Sequence, residues 1–237
     1  MKSVVFASFC TIFFFASMMS DTSGVKTLVT IGTIDVKHDT INNVVSFESG
    51  MTIDADGSPQ AYHPVSDSGL DALANAGRKG NWWGIVTDEK GEPVVQGEDD
   101  PFPGFYVSTT SLQDASKKIT DPARYVNSDS VPFIVIPNNA TLLGLVKKGD
   151  FARVENLRNG KFGYAIFADV GPKDKIGEGS MCLVRNLGID ASPRSGGVAD
   201  SVRYTVFVGS GNGKCRSKAE IDSVGAVFYT AYTEKSK

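Results

Sequence analysis

The chain has 237 residues, 41% apolar and 22% charged, with 24 basic against 27 acidic side chains, two histidines and three cysteines. A net charge of −3 with no lysine or arginine run excludes a nucleic-acid or anionic-membrane binder, because nothing would neutralise a row of phosphates. With only His38 and His63 present, a three-histidine zinc site is excluded and a Ser/His/Asp triad would need one of those two, so carboxylates are the reactive groups available in number.

In chain order, Lys2, an apolar run from Val4 to Phe15 and the small residues Ala16, Ser17 and Ser20 have the layout of a secretory signal peptide, so residues 1–20 are expected to be removed and the protein secreted. Removal takes away Lys2 and Cys10, leaving 23 basic against 27 acidic residues, a net −4, and the cysteines Cys182 and Cys215. In an oxidising compartment those two either pair or remain separate, with Cys182 a small buried residue. Residues 21–50 are polar with weak strand patterns and read as an N-terminal extension able to add an edge strand; residues 51–237 read as one domain.

Short β-branched or aromatic runs bounded by Gly, Pro, Asn or Asp then recur: Trp82–Val86, Phe105–Thr110, Val131–Ile136, Phe151–Val154, Tyr164–Ala168, Val202–Val208 and Val224–Tyr229. They predict strands, too closely spaced for alternating long helices, and so a mainly β barrel or sandwich. Short helices are predicted at Leu70–Ala76, at Ser180–Leu187 before Gly188, and from the capping box Ser217-Lys-Ala-Glu220 ahead of a last strand. Asn139-Ala-Thr141 is a glycosylation acceptor at a turn.

Two segments set carboxylates beside glycines. Asp54-Ala-Asp56-Gly57 resembles the start of a calcium loop, but Val65 stands where the twelfth-position glutamate belongs, and Asp side chains capping a turn account for the same residues, so no metal or other cofactor is expected. In the second, the strand Tyr164–Ala168 runs into Asp169-Val-Gly-Pro172, and Glu178 stands between Gly177 and Gly179 at a helix start. Such positions project side chains into open space, where two carboxylates could flank a sugar bond. Turn capping by Asp169 and a favourable helix dipole at Glu178 explain the same residues without catalysis.

Together, Asp54-Ala-Asp-Gly-Ser-Pro-Gln-Ala-Tyr-His-Pro64, Gly69–Gly77, Asn81-Trp-Trp-Gly-Ile-Val86, Pro103–Leu112, Val131–Pro137, Asp169-Val-Gly-Pro172 and Gly177-Glu-Gly-Ser180 resemble glycoside hydrolase family 75, the fungal-type chitosanases, over about residues 53–211. The resemblance implies an inverting, endo-acting hydrolase of the β-1,4 glucosamine linkages of chitosan, with Glu178 the general acid and Asp169 the general base. The turn after Asp169 and the short helix ending in Leu-Gly are similar to the signature stretch of double-psi β-barrels, implying a six-stranded barrel with Asp169 at its rim. Family members often carry an Asn-containing turn where this chain has Val-Gly-Pro.

Chitosan is cationic, and an acidic chain with Asp54, Asp56, Asp88 and Glu98-Asp99-Asp100 suits it. Trp82, Trp83, Phe105 and Tyr106 either stack on sugars or fill the core, and the adjacent tryptophans would point to opposite faces, so at most one reaches a sugar. The expected substrate-binding set is Asp54, Asp56, Tyr62, Trp83, Tyr106 and Ser180. The partner is a cell-wall polysaccharide met by a monomer, with no nucleic acid and, after signal removal, no membrane. The competing readings are a hydrolase of another wall glycan and a non-catalytic, expansin-like wall-binding protein.

Overall fold

The computed structural model describes residues 24–235, so the expected signal peptide lies outside the described residues. Ten strands are present: β1 (Val25–Ile31), β2 (Ile34–Asp39), β3 (Val44–Asp54), β4 (Gly77–Arg78), β5 (Asn81–Trp82), β6 (Phe133–Pro137), β7 (Phe151–Asn156), β8 (Phe162–Gly171), β9 (Glu178–Ser180) and β10 (Val198–Phe207). Three α-helices join them: α1 (Ala140–Leu145), α2 (Met181–Asn186) and α3 (Lys218–Lys235). No helix among the described residues is long and apolar enough to cross a membrane.

The main sheet runs β1-β2-β3-β10-β7-β8-β6-β9, and β9 pairs back onto β3, so the last six strands in that order close into a barrel. The mainly β chain, six-stranded closure and few short helices match the expectation. Closure rests on the parallel pairs Thr52 with Glu178, Ile53 with Gly179 and Asp54 with Ser180. The hairpin β1–β2 hangs off this barrel through β3, and β3 itself spans residue 50, where the sequence suggested the domain begins.

Alternation along the strands divides the apolar residues between two faces. Met51 and Ile53 of β3, Ile134 and Ile136 of β6, Ala165 and Phe167 of β8 and Tyr204 and Val206 of β10 fill the main core with Leu183 and Val184 of α2. The other face carries Phe133, Val135, Phe151, Ile166 and Ala168, and α3 covers it with Ile221, Phe228 and Tyr232. Here the structure corrects the sequence reading. Val224–Tyr229 is helical, not a strand, because the capping box at Ser217 and Glu220 does start a helix, with both Ser217 N–H and Oγ donating to Glu220, and that helix continues to Lys235. Gly225 lets α3 approach Tyr164 closely, and Arg153 of β7 lies between the Phe162 and Tyr229 rings at 4.4 and 4.3 Å.

The long stretch between β5 and β6 is mostly loop. Phe105–Thr110 forms only isolated bridges, Ile85 with Ser108 and Val95 with Tyr106, and Leu70–Ala76 tightens into a 3-10 turn at Leu73–Ala76. Asn139 caps α1 by accepting from the Thr141 and Leu142 amides, so the turn expected at Asn139 opens a short helix. Cys182 is buried, Cys215 is exposed, and both are free thiols.

Candidate active site

Val135 is the hinge of the site's geometry. It pairs with Asp169 of β8 on one side, in a parallel ladder, and with Glu178 of β9 on the other, in an antiparallel one. Directly paired residues share a face of the sheet, so the two carboxylates look out on the same side of β6. Two interstrand spacings separate their α-carbons by roughly 9–10 Å. Alternation from Ala165 and Phe167 would send Asp169 inward. A register shift between Ile134 and Val135 sets Asp169 opposite Val135 instead, the re-aiming that a bulge performs beside functional groups.

The same face of β3 brings Thr52 and Asp54, and a cleft of about 350 Å³ is lined by Asp54, Asp56, Tyr62, Trp83, Asp169 and Glu178 among others. The sequence-predicted set is thus largely brought together. Two members are elsewhere. Ser180 is fully buried, caps α2 by accepting from the Leu183 amide, also accepts from the Phe133 amide and donates to the Val131 carbonyl, so its hydroxyl is consumed by backbone partners. Tyr106 packs against the core, outside the cleft lining, and its amide donates to the Tyr62 carbonyl. Of the two tryptophans, Trp82 packs on the core and Trp83 is 60% exposed.

Asp169 is almost fully buried, and its Oδ1 accepts from Ser111 Oγ (2.6 Å), the Ser111 amide (2.9 Å) and the Val170 amide (2.8 Å). Burial pushes its carboxyl upward, while these donors and the Lys148 ammonium pull it back toward the ionised form. Glu178 is held differently. Burial, then the charge of Asp169, raises it to about 7, Lys175 opposes this, and no hydrogen bond from the described residues favours its anion. Gly171 makes room for it: a Cβ there would stand 3.4 Å from Glu178 Oε2 and 2.9 Å from Val135 Cγ1. Gly177, at φ 99°, lets the preceding loop cross β3 where a Cβ would strike Ser49.

Asp54 Oδ1 accepts from the Asp56 amide (2.7 Å), and Asp56 Oδ1 accepts from the Tyr62 hydroxyl (2.7 Å). Burial and neighbouring carboxylates raise both aspartates well above the usual range, and burial with Asp56 beside it raises the Tyr62 phenol. Asp54, Asp56 and Asp169 each bring an oxygen within 4.8 Å of the others, a spacing that three ligands to one hard cation could adopt and that otherwise favours shared protons.

Four contributors were missed by sequence reasoning. Ser111 holds Asp169. Asp71 accepts both from the Ala72 amide and from Asn75 Nδ2, and Asn75 in turn accepts Trp83 Nε1–H at its carbonyl (2.8 Å), fixing the exposed ring at the cleft wall. Arg194 gathers the Ser66, Gly69 and Asp71 carbonyls of the opposite loop. Ser111, Asp71 and Asn75 lie within the motif stretches read from the sequence, but nothing local distinguishes them from turn residues. Glu98, Asp99, Asp100 and Asp88 stand outside the cleft lining.

The chain has also been compared with known proteins. No curated protein matches it. The sequence profile described as fungal chitosanase of glycosyl hydrolase group 75 matches residues 51–234, a span that contains five strands of the barrel, the end of β3 and all the carboxylates of the cleft. On that match, most of its length, the chain belongs to the glycosyl hydrolase group 75 family of fungal chitosanases.

Proposed function

We propose that the protein is a secreted endo-acting chitosanase that cleaves β-1,4 glucosamine linkages with inversion, Glu178 serving as general acid and Asp169 as general base. The observation that carries this reading is the pairing of both residues to Val135, with their contrasting surroundings. Glu178 keeps its proton toward neutral pH and gives it to the glycosidic oxygen as the bond to C1 breaks. Asp169, held toward its anion by Ser111 and Val170, accepts a proton from a water that attacks C1 from the other face; the sugar leaves as a free hydroxyl and the new anomeric hydroxyl is inverted. An α-carbon separation of roughly 9–10 Å leaves room for the roughly 6.5–9.5 Å between carboxyl groups that inversion requires for that water.

Asp71 adds a carboxylate to the cleft lining, and the acidic excess of the chain concentrates a polymer of ammonium-bearing sugars. Trp83 supplies a fixed aromatic face beside them. The leader layout of residues 1–20 supports action outside the cell, where such a polymer is met. The test is proton NMR of chitosan digestion in its first minutes. The α-anomer should appear first. Early β-anomer would overturn inversion, and activity on another wall glycan with none on chitosan would overturn the substrate.

A further inference from the structure

A second depression, of about 340 Å³, adjoins the cleft, and Thr52, Lys175 and Glu178 line both. Its far wall is the tip of the β1–β2 hairpin: Ile31, Gly32, Thr33 and Ile34 face Asp174 and Ile176 across it. The hairpin is seated, with Ile31 and Val36 buried in the main core and Thr30 Oγ1 donating to Asp35 Oδ1 across it (2.7 Å). The turn residue Gly32 reaches the loop before Glu178, where its Cβ position would be 3.9 Å from the Asp174 carbonyl oxygen. The family match starts at residue 51, after this hairpin, so this wall is built by residues outside the matched range.

We infer that this depression is a binding site for sugar units on the leaving side of the scissile bond, and that the β1–β2 hairpin makes the enzyme prefer longer chains. The inference rests on the chitosanase reading above. Asp169 lines only the first cleft, whereas Glu178 lines both, so a polymer running from base to acid continues into the second depression. The general acid protonates the oxygen that stays with the leaving sugar, which places the leaving units beyond Glu178. The wall offers what a glucosamine unit binds: the exposed Asp174 carboxylate for its ammonium, the Thr33 hydroxyl, and the half-buried apolar side chains of Ile34 and Ile176 under the ring. Lys175 is the one cation in the lining, and it lies at the boundary shared with the cleft.

The experiment compares kcat/KM on glucosamine oligomers from trimer to octamer for the wild-type enzyme, Asp174→Ala and Thr33→Trp. The first variant removes the carboxylate and the second fills the depression from an exposed position. In each, the ratio of kcat/KM on the octamer to that on the shortest cleaved oligomer should fall about fivefold below wild type, the scale of one lost exposed charge contact. The distribution of products from the octamer should shift in parallel. Variants that follow wild type at every length, with the same products, would overturn the hairpin site alone. A wild-type enzyme that cleaves no glucosamine oligomer would overturn the chitosanase reading and this inference together.

Discussion

Ser111 gives Asp169 two hydrogen bonds, one from its amide and one from its hydroxyl, and both end on the same oxygen, Oδ1. The second carboxylate oxygen accepts no hydrogen bond from the described residues, which suits the proposed base. A buried aspartate without such donors would hold its proton and fail as a base. Ser111→Ala therefore should move the acidic limb of the pH profile of kcat/KM upward and lower the maximal rate roughly tenfold, since a hydrogen bond to a charged group contributes about 1.5–3 kcal/mol. An acidic limb in the same place would remove Ser111 from this role.

In the proposed mechanism the other limb belongs to Glu178. A general acid acts only while protonated, so activity should decline as pH rises through about 7, where burial and Asp169 place this carboxyl. Lys175 opposes the shift. Lys175→Ala should carry the basic limb to higher pH, measured on a short oligomer to reduce binding effects, and a limb that stayed or moved down would contradict the electrostatic assignment.

Stability should run against pH in the same window. The folded pKa of Glu178 is raised above its ordinary 4.5, so between about 4.5 and 7 the native state holds a proton that the unfolded chain releases. By linkage this stabilisation is complete below 4.5 and is lost as pH rises through 7, at most on the order of 3 kcal/mol. Asp54, Asp56 and Asp169, all raised, act in the same direction. Thermal melts should show a falling Tm from pH 4.5 to 7.5, flattened in Glu178→Gln, which imitates the protonated side chain. A Tm that rose over that range would refute the burial argument.

Trp83 separates binding from folding. Its ring is 60% exposed, and its one polar atom is satisfied by the Asn75 carbonyl. Trp83→Ala should raise KM for chitosan about five- to tenfold, the scale of an aromatic face stacked on a ligand, with kcat nearly intact and Tm changed by only a few degrees. A loss of kcat without change in KM would place Trp83 among the groups acting on the transition state instead.

Strand signals carried most of the barrel because β6, β7, β8 and β10 are short apolar runs closed by turn residues, where local pattern and final burial agree. Val224–Tyr229 shows the limit. Its β-branched and aromatic residues have strand character, but the Ser217 and Glu220 cap commits the chain to a helix upstream, and packing on Phe151 and Phe207 holds it there. Phe105–Thr110 has the composition of a strand yet makes only bridges, to Ile85 and Val95, which themselves lie in loop segments.

In the site, Asp169 and Glu178 stood out because a strand end and a pair of glycines mark them locally. Ser180, adjacent to the same motif, instead caps α2 and is buried. What the sequence concealed is long-range. Ser111 lies 58 residues from Asp169, and no local pattern connects them. The bulge that turns Asp169 outward is likewise a property of two paired strands and has no signal in either alone.

Barrel closure by β9 carries a consequence for the order of assembly. The three residues Glu178–Ser180 meet β3 across some 126 positions of sequence, among the longest-range strand pairings in the chain, and contacts so distant form late because the intervening loop must first be ordered. Glu178 is one of those three residues. With Glu178 in the role proposed above, a newly made chain would gain its acid only as the barrel shuts, and hydrolytic competence would become a readout of completed folding.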